Sequence, residues 1–144
     1  MQTTLDLHAL VDAIGDAVVA ADPSGRITLW NPAAERIFGF TETEALGQSL
    51  DLIIPERMRR RHNEGYEHTM ASGITKYGTS LLRVPALHKD GRQMSIAFTV
   101  AMLFTPGQKV SSIVAVIREE TARFDEERAL KKRIAELEAR AAAT

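Results

Sequence analysis

The sequence predicts an α+β domain in which an antiparallel sheet is covered on one side by short helices. Three observations carry that expectation. Two strand-like segments joined by a tight turn open the chain, at 17–21 and 26–30. A series of segments with helix-start and helix-stop residues fills the middle, from Asn31 to Gly73. Three more strand-like segments with alternating apolar residues follow. Strands and helices segregated along the chain in this way pack as a sheet with a helical layer on one face.

Each element has its own local reason. Leu5, Leu7, Leu10, Val11 and Ile14 recur at mostly helical spacing, which predicts a short amphipathic helix. Ala17–Ala21 is a small apolar run containing valines. Asp22-Pro23-Ser24-Gly25 turns the chain, because proline presets one backbone angle and glycine accepts a positive one. In Arg26–Trp30, Ile27 and Leu29 alternate with polar neighbours, so the pair reads as a hairpin. Asn31-Pro32 starts a helix over Ala33–Phe38, since asparagine is a favoured cap and proline a favoured first residue. Gly39 stops it. Thr41 with Glu44 has capping-box spacing for another short helix that ends near Gly47. Ser49–Ile53 gives one further turn, and Pro55 opens the longest internal helix, running to about Ser72.

Thr79–His88 follows as a strand that Pro85 confines to an edge or a bulge, because proline has no donor for a ladder. Asp90-Gly91 is a hairpin turn signal. Arg92–Phe104 places Met94, Ile96, Phe98, Val100 and Met102 on one face, and Val110–Arg118 is the last strand. From Glu119 the composition shifts to Glu, Arg, Lys and Ala without Gly or Pro. Leu130, Ile134, Leu137 and Ala141, spaced four, three and four apart, form the seam of a two-stranded coiled coil shorter than two heptads. The chain thus divides into an N-terminal flanking helix at 1–14, a sheet-and-helix core at 15–119 and a C-terminal helix at 120–144. The tail reads as a dimer helix, with a solvated, frayed helix as the alternative.

Bulk properties exclude several functions. The net charge of -1 argues against general nucleic-acid binding, which needs a basic surface. With no cysteine, disulfides, thiolate metal sites and cysteinyl cofactor adducts are ruled out. The longest apolar runs fall well short of the roughly 20 residues that cross a bilayer. The N-terminus lacks signal-peptide order, which makes the cytoplasm the expected compartment. There is no Gly-rich phosphate loop, catalytic carboxylate pair or Ser/His/Asp set, so no enzymatic activity is expected.

Several stretches together resemble a PAS domain over about Leu7–Arg123. They are Ile14-Gly15-Asp16-Ala17, Asp22-Pro23-Ser24-Gly25-Arg26-Ile27, Trp30 through Phe40, Glu44-Ala45-Leu46-Gly47, Lys89-Asp90-Gly91-Arg92 and Arg118-Glu119-Glu120-Thr121. The resemblance implies a five-stranded antiparallel sheet, a ligand pocket between sheet and helices, and signal output through flanking helices. Ile53-Ile54-Pro55-Glu56-Arg57 through Tyr66 is similar to the haem-binding PAS domains of the FixL oxygen-sensor type, in which a histidine after a Pro-Glu helix start ligates iron. His62 falls on that position, Tyr66 follows it, and the Asp-Gly turn aligns without a gap.

That similarity implies haem b ligated by His62, with His68 and Lys76 at the propionate positions. Leu82 stands where those sensors carry a distal arginine, and the wall around it is apolar: Leu81, Leu82, Ile96, Phe98, Val100 and Met102. Such a wall suits CO or NO, or a second axial ligand from Met102. The competing reading of His62 is a solvated histidine on a polar helix beside Arg57, Arg59, Arg60 and Arg61, a cluster that itself reads as a solvated face. Trp30 reads as core, His88 as exposed beside its turn, and His8 as lying on a dimer surface.

Two functions therefore stand. One is a sensory module, a homodimer that takes a small ligand such as haem for gas sensing and signals through its C-terminal helix to a histidine kinase or transcriptional regulator. The other is a ligand-free protein–protein interaction and dimerisation module. Neither involves direct contact with nucleic acid or membrane.

Overall fold

The computed structural model describes residues 4–75 and 78–143. Its elements run α1 (Leu7–Ala13), β1 (Ala17–Ala21), β2 (Ile27–Trp30), α2 (Pro32–Phe38), α3 (Glu42–Ala45), a 3-10 turn (Leu50–Ile53), α4 (Glu56–Ser72), β3 (Leu82–Leu87), β4 (Gln93–Phe104), β5 (Val110–Glu119) and α5 (Thr121–Ala143). The five strands form one antiparallel sheet in the order β2-β1-β5-β4-β3. The expected α+β architecture is present. No helix among the described residues is long and apolar enough to cross a membrane.

Strand register assigns the faces, because cross-strand partners share a side of the sheet. Ala17 opposes Ile117, which opposes Phe98, which opposes Leu82. This row and its alternate neighbours Val19, Val84 and Ile96 form the inner face, under α2 and α3. Their partners in the core are Trp30, Phe38, Ala45 and Ile53. The opposite face carries Val18, Ala20, Thr99, Ala101, Val114 and Val116.

Asn31 knits the N-terminal half together. Its Oδ1 accepts from the backbone N–H of Ala34 at 3.0 Å, which caps α2, and from Val18 N–H at 2.9 Å. Its Nδ2 donates to the carbonyls of Val11 and Asp16 at 3.0 and 3.1 Å. All four hydrogen-bonding capacities of one amide are used.

The capping box at α3 forms as expected: Thr41 Oγ1 accepts from Glu44 N–H, and Glu44 accepts from Thr41 N–H. Lys89 Nζ also donates to Glu44 at 2.6 Å, tying the β3–β4 turn to α3. Chiefly through Lys89, and then through Thr41, the Glu44 carboxyl is pulled down to about 2. A folded-state value below the unfolded one stabilises the fold above the unfolded pKa, and that contribution is lost as pH falls towards 2. The melting-temperature gap between the wild type and Glu44→Gln is therefore expected to be full near about pH 6 and to close by about pH 2 in a thermal scan series.

Two expectations change. The strand expected over Thr79–His88 begins only at Leu82, because Gly78, at φ 56°, turns the chain just before it. His88 does not project into solvent. Its side chain is 17% exposed and lies against Gly39, where an added Cβ would come within 2.6 Å of the ring. Gly39, at φ 83°, ends α2 and leaves the space that the imidazole occupies. Pro85 sits on β3, the sheet's edge, as its chemistry requires.

Candidate functional site

The long helix α4 buries none of its residues. It is fastened at points along its length. Arg57 donates to Gln93 Oε1 at the start of β4, and Arg59 Nε donates to Ile54 O at 3.0 Å. Near its middle, the Tyr66 hydroxyl donates to the Asp22 carbonyl in the β1–β2 turn, and the Tyr66 ring packs on Gly25. At its end, Gly73 lies beside Phe104 and Val110, at the turn joining β4 to β5. Burial, with the Asp22 charge adding to it, pushes the Tyr66 phenol up to about 12, so it remains a donor at neutral pH.

Met58, Arg59, His62, Tyr66, Thr69 and Met70 are the half-buried residues of α4, while Arg57, Arg60, Arg61 and His68 are exposed, so Arg59 departs from the solvated cluster that the sequence suggests. His62 thus lies on the half-buried side and not with the solvated arginines. Its ring stacks on Tyr66 with centroids 6.0 Å apart and an interplanar angle of 28°. Asn63 Nδ2 donates to Asp51 Oδ1 at 3.2 Å, which turns Asn63 Oδ1 towards His62 Nδ1 at 3.3 Å. With Nδ1–H as that donor, the lone pair sits on Nε2, which has no hydrogen-bond partner among the described residues.

The sheet beneath is unevenly covered. Ile96 is 5% exposed and belongs to the core. Leu82, Phe98, Val100 and Met102 occupy the same inner face but are only half-buried, as are Ile113 and Ala115 on β5. Apolar side chains on the inner face of a sheet are ordinarily sealed by the covering helix. Here they remain accessible, and α4 is held by a few polar tethers. Lys76 lies outside the described residues. His68 is exposed, on a different part of α4 from His62. His8 pairs with Asp12 at 3.4 Å and borders a cleft between α1 and the α2–α3 segment.

An imidazole nitrogen without a partner, beside an amide oxygen that can accept from the other ring nitrogen, is an arrangement that ligating histidines use. The apolar wall suits a flat macrocycle. The donor chemistry therefore fits haem b, which His62 would hold through Nε2. The sequence did not nominate Asn63, Asp51 or Met58. Asn63 follows His62 directly, and an amide next to a proposed ligand was the available signal.

The junction with α5 is equally defined. Thr121 Oγ1 accepts from Ser95 N–H, and Glu120 N–H donates to Ser95 O, so the start of α5 is bonded to β4. Glu120 also pairs with Arg83 of β3 and Arg123 of α5, and Arg118 holds Asp16 through two contacts of 3.2 Å. Beyond this junction α5 is exposed throughout, including Leu130, Ile134 and Leu137.

Comparison with known proteins places this arrangement. A family profile described as "PAS fold" matches residues 5–119. The chain is 42% identical over 74 residues to the sensor protein FixL of Bradyrhizobium diazoefficiens, covering 51% of this chain and 13% of that protein. It is 24% identical over 90 residues to the oxygen sensor protein DosP of Escherichia coli, covering 62% of this chain and 11% of that one. The chain therefore spans only a small part of the length of these relatives. Among solved structures, the PAS domain of a protein from Colwellia psychrerythraea superposes with a TM-score of 0.70 at 20% identity, over 81% of this chain and 95% of that one.

Proposed function

The chain belongs to the PAS-fold family and is a sensory domain homologous to sensor proteins; from that premise we propose that it takes a small, flat, largely apolar ligand between α4 and the inner face of β4–β5. The proposal rests on one observation: Leu82, Phe98, Val100 and Met102 stay half-open on the inner face while His62 Nε2 stands unpaired on the covering helix. The ligand with the best chemical fit is haem b, and similarity to FixL and DosP supports it. Haem bound here would supply an iron site for a diatomic gas.

The chain's own residues have separate tasks. His62 binds, and Asn63 holds the Nδ1 proton. The apolar wall offers a bound gas no hydrogen bond, because Leu82 stands opposite Phe98 with no donor of its own. CO or NO is favoured over O2 on that ground. The same strand, β4, carries Phe98 and, three residues earlier, the Ser95 clamp on Thr121. A ligand that binds one position of β4 more tightly than another would reposition α5, provided its affinity differs between the two states.

The three-part division at 14/15 and 119/120 follows this logic: flank, sensor and output helix. The output is a homodimer in which α5 pairs through Leu130, Ile134 and Leu137, coupled to a kinase or regulator in the cytoplasm. No catalytic step is assigned to the chain. The exposed tail stripe is also what a ligand-free dimerisation module would show, which makes that the second reading.

The full chain, titrated with haem b, should develop a Soret band that shifts on adding CO and is lost in His62→Ala, with the fold retained by circular dichroism. Leu82→Arg, which adds a distal donor, is expected to slow O2 dissociation several-fold. A protein that stays colourless after titration would eliminate haem and favour the dimerisation module.

A further inference from the structure

Basic side chains in this protein sit in water, with one exception. Among the described residues, Arg59 is the one lysine or arginine that is not exposed. It lies on α4 three residues before His62 and seven before Tyr66, so the three share the half-buried face of the helix. Its Nε donates to the Ile54 carbonyl at 3.0 Å. Ile54 packs against the core, as do Val84 and Phe98 of the inner sheet face. The guanidinium is thereby fixed at the end of the site where α4 begins.

That one bond leaves most of the group unused. Neither Nη1 nor Nη2 has a partner among the described residues, and no carboxylate of those residues lies within ion-pair distance. Arginines elsewhere on the domain are answered: Arg83 by Glu120, Arg92 by Asp90 and Arg118 by Asp16. A charge partly withdrawn from water without a counter-ion costs stability. Exposed arginines such as Arg61 avoid that cost through hydration, and Arg59 does not. A fork of two parallel N–H donors is also the geometry that takes a carboxylate in a bidentate pair.

We infer that Arg59 is the anion-binding residue of the ligand site, and that the ligand carries a carboxylate on its apolar body. This rests on the reading of the site given above and adds a charge requirement that an apolar wall cannot impose. Nη1 and Nη2 take the two carboxylate oxygens, and the half-open surface of Phe98, Val100 and Met102 takes the rest of the molecule. The task falls to Arg59 and not to His68, which is exposed on another part of α4. A porphyrin propionate and a long-chain fatty acid share this chemistry.

Paired probes that differ only in the carboxylate test it on the full chain. Haem b and its dimethyl ester are titrated by absorbance, dodecanoate and dodecanol by calorimetry. The acid of the bound pair is expected to bind about tenfold more tightly than its neutral partner, the size of one charge-assisted bidentate contact. Arg59→Gln should bring that ratio close to unity, and Arg59→Lys should keep part of it. Arg61→Gln, on the exposed side of α4, should leave it unchanged. The ratio is decisive because loss of the Ile54 tether alone would weaken the acid and the neutral probe alike.

A wild type that binds haem b and its ester equally overturns the role of Arg59 and leaves the haem reading standing. A preference for the acid that survives in Arg59→Gln places the anion elsewhere and overturns the role too. Dodecanoate bound in preference to dodecanol, with neither porphyrin bound, keeps Arg59 in its role and removes haem. If none of the four probes binds, both readings fail.

Discussion

Replacing Asn31 with alanine is expected to lower the melting temperature by about 10 °C. The side chain is 1% exposed and engages four backbone groups. Loss of the α2 cap costs about 1 kcal/mol. Val18 N–H then lies in a buried strand without a partner, at a cost of about 1–3 kcal/mol. The Val11 and Asp16 carbonyls lose their donor as well, although they are nearer solvent and can recruit water. A total of about 3–4 kcal/mol, in a chain of this size, corresponds to the stated shift. Thermal unfolding followed by circular dichroism measures it. A loss of under about 1 kcal/mol would show that water replaces the amide at little cost. Asn31→Asp separates the two halves of the role. It keeps the acceptor for Ala34 and Val18 but sets a carboxylate against two carbonyls, so it should be less harmful at acid pH than at neutral pH.

Trp30→Ala should cost about 4 kcal/mol in a urea titration. The indole is 1% exposed, its ring lies 5.4 Å from that of Phe38 at a 41° tilt, and its Nε1–H donates to Phe40 O at 2.9 Å. Removing it empties the space where β2, α2 and the segment after α2 meet. Trp30→Phe refills most of that volume but leaves the Phe40 carbonyl without its donor, so about half of the loss should return. If alanine is tolerated with under about 1 kcal/mol of loss, Trp30 is a surface lid and not the centre of the core.

The fold was largely legible because its elements announce themselves locally. Ala17–Ala21 is an uninterrupted apolar run ahead of a Pro-Ser-Gly turn, Thr41 and Glu44 are three apart, and Pro85 excludes a central strand. Each of these signals concerns neighbours in sequence, and each appears in the structure. What escaped depends on distant partners. Asn31 reads as a helix cap from its place before Pro32, but its other three bonds reach 13, 15 and 20 residues away. His88 looked like a turn residue because nothing nearby in sequence reveals that Gly39 leaves a seat for it.

At the site, the position of His62 on the long helix was readable. The relay from Asp51 through Asn63 to its ring was not, since it joins residues 12 apart across the 3-10 turn and α4. The openness of Phe98, Val100 and Met102 was not readable either. Alternation marks them as inward-facing, and how well α4 seals them is a matter of tertiary packing.

The placement of Pro85 has one more effect. Ser95, its partner on β4, directs its backbone groups towards the α5 junction, so Pro85 and its alternate neighbours present theirs to the free side of β3. There the middle residue has no N–H to offer. At the far side of the sheet, the backbone of Ile27 exchanges hydrogen bonds with the Gly47–Gln48 segment. Both rims are thereby poorer templates for an additional ribbon of chain, which works against growth by strand accretion, the first step of fibril formation.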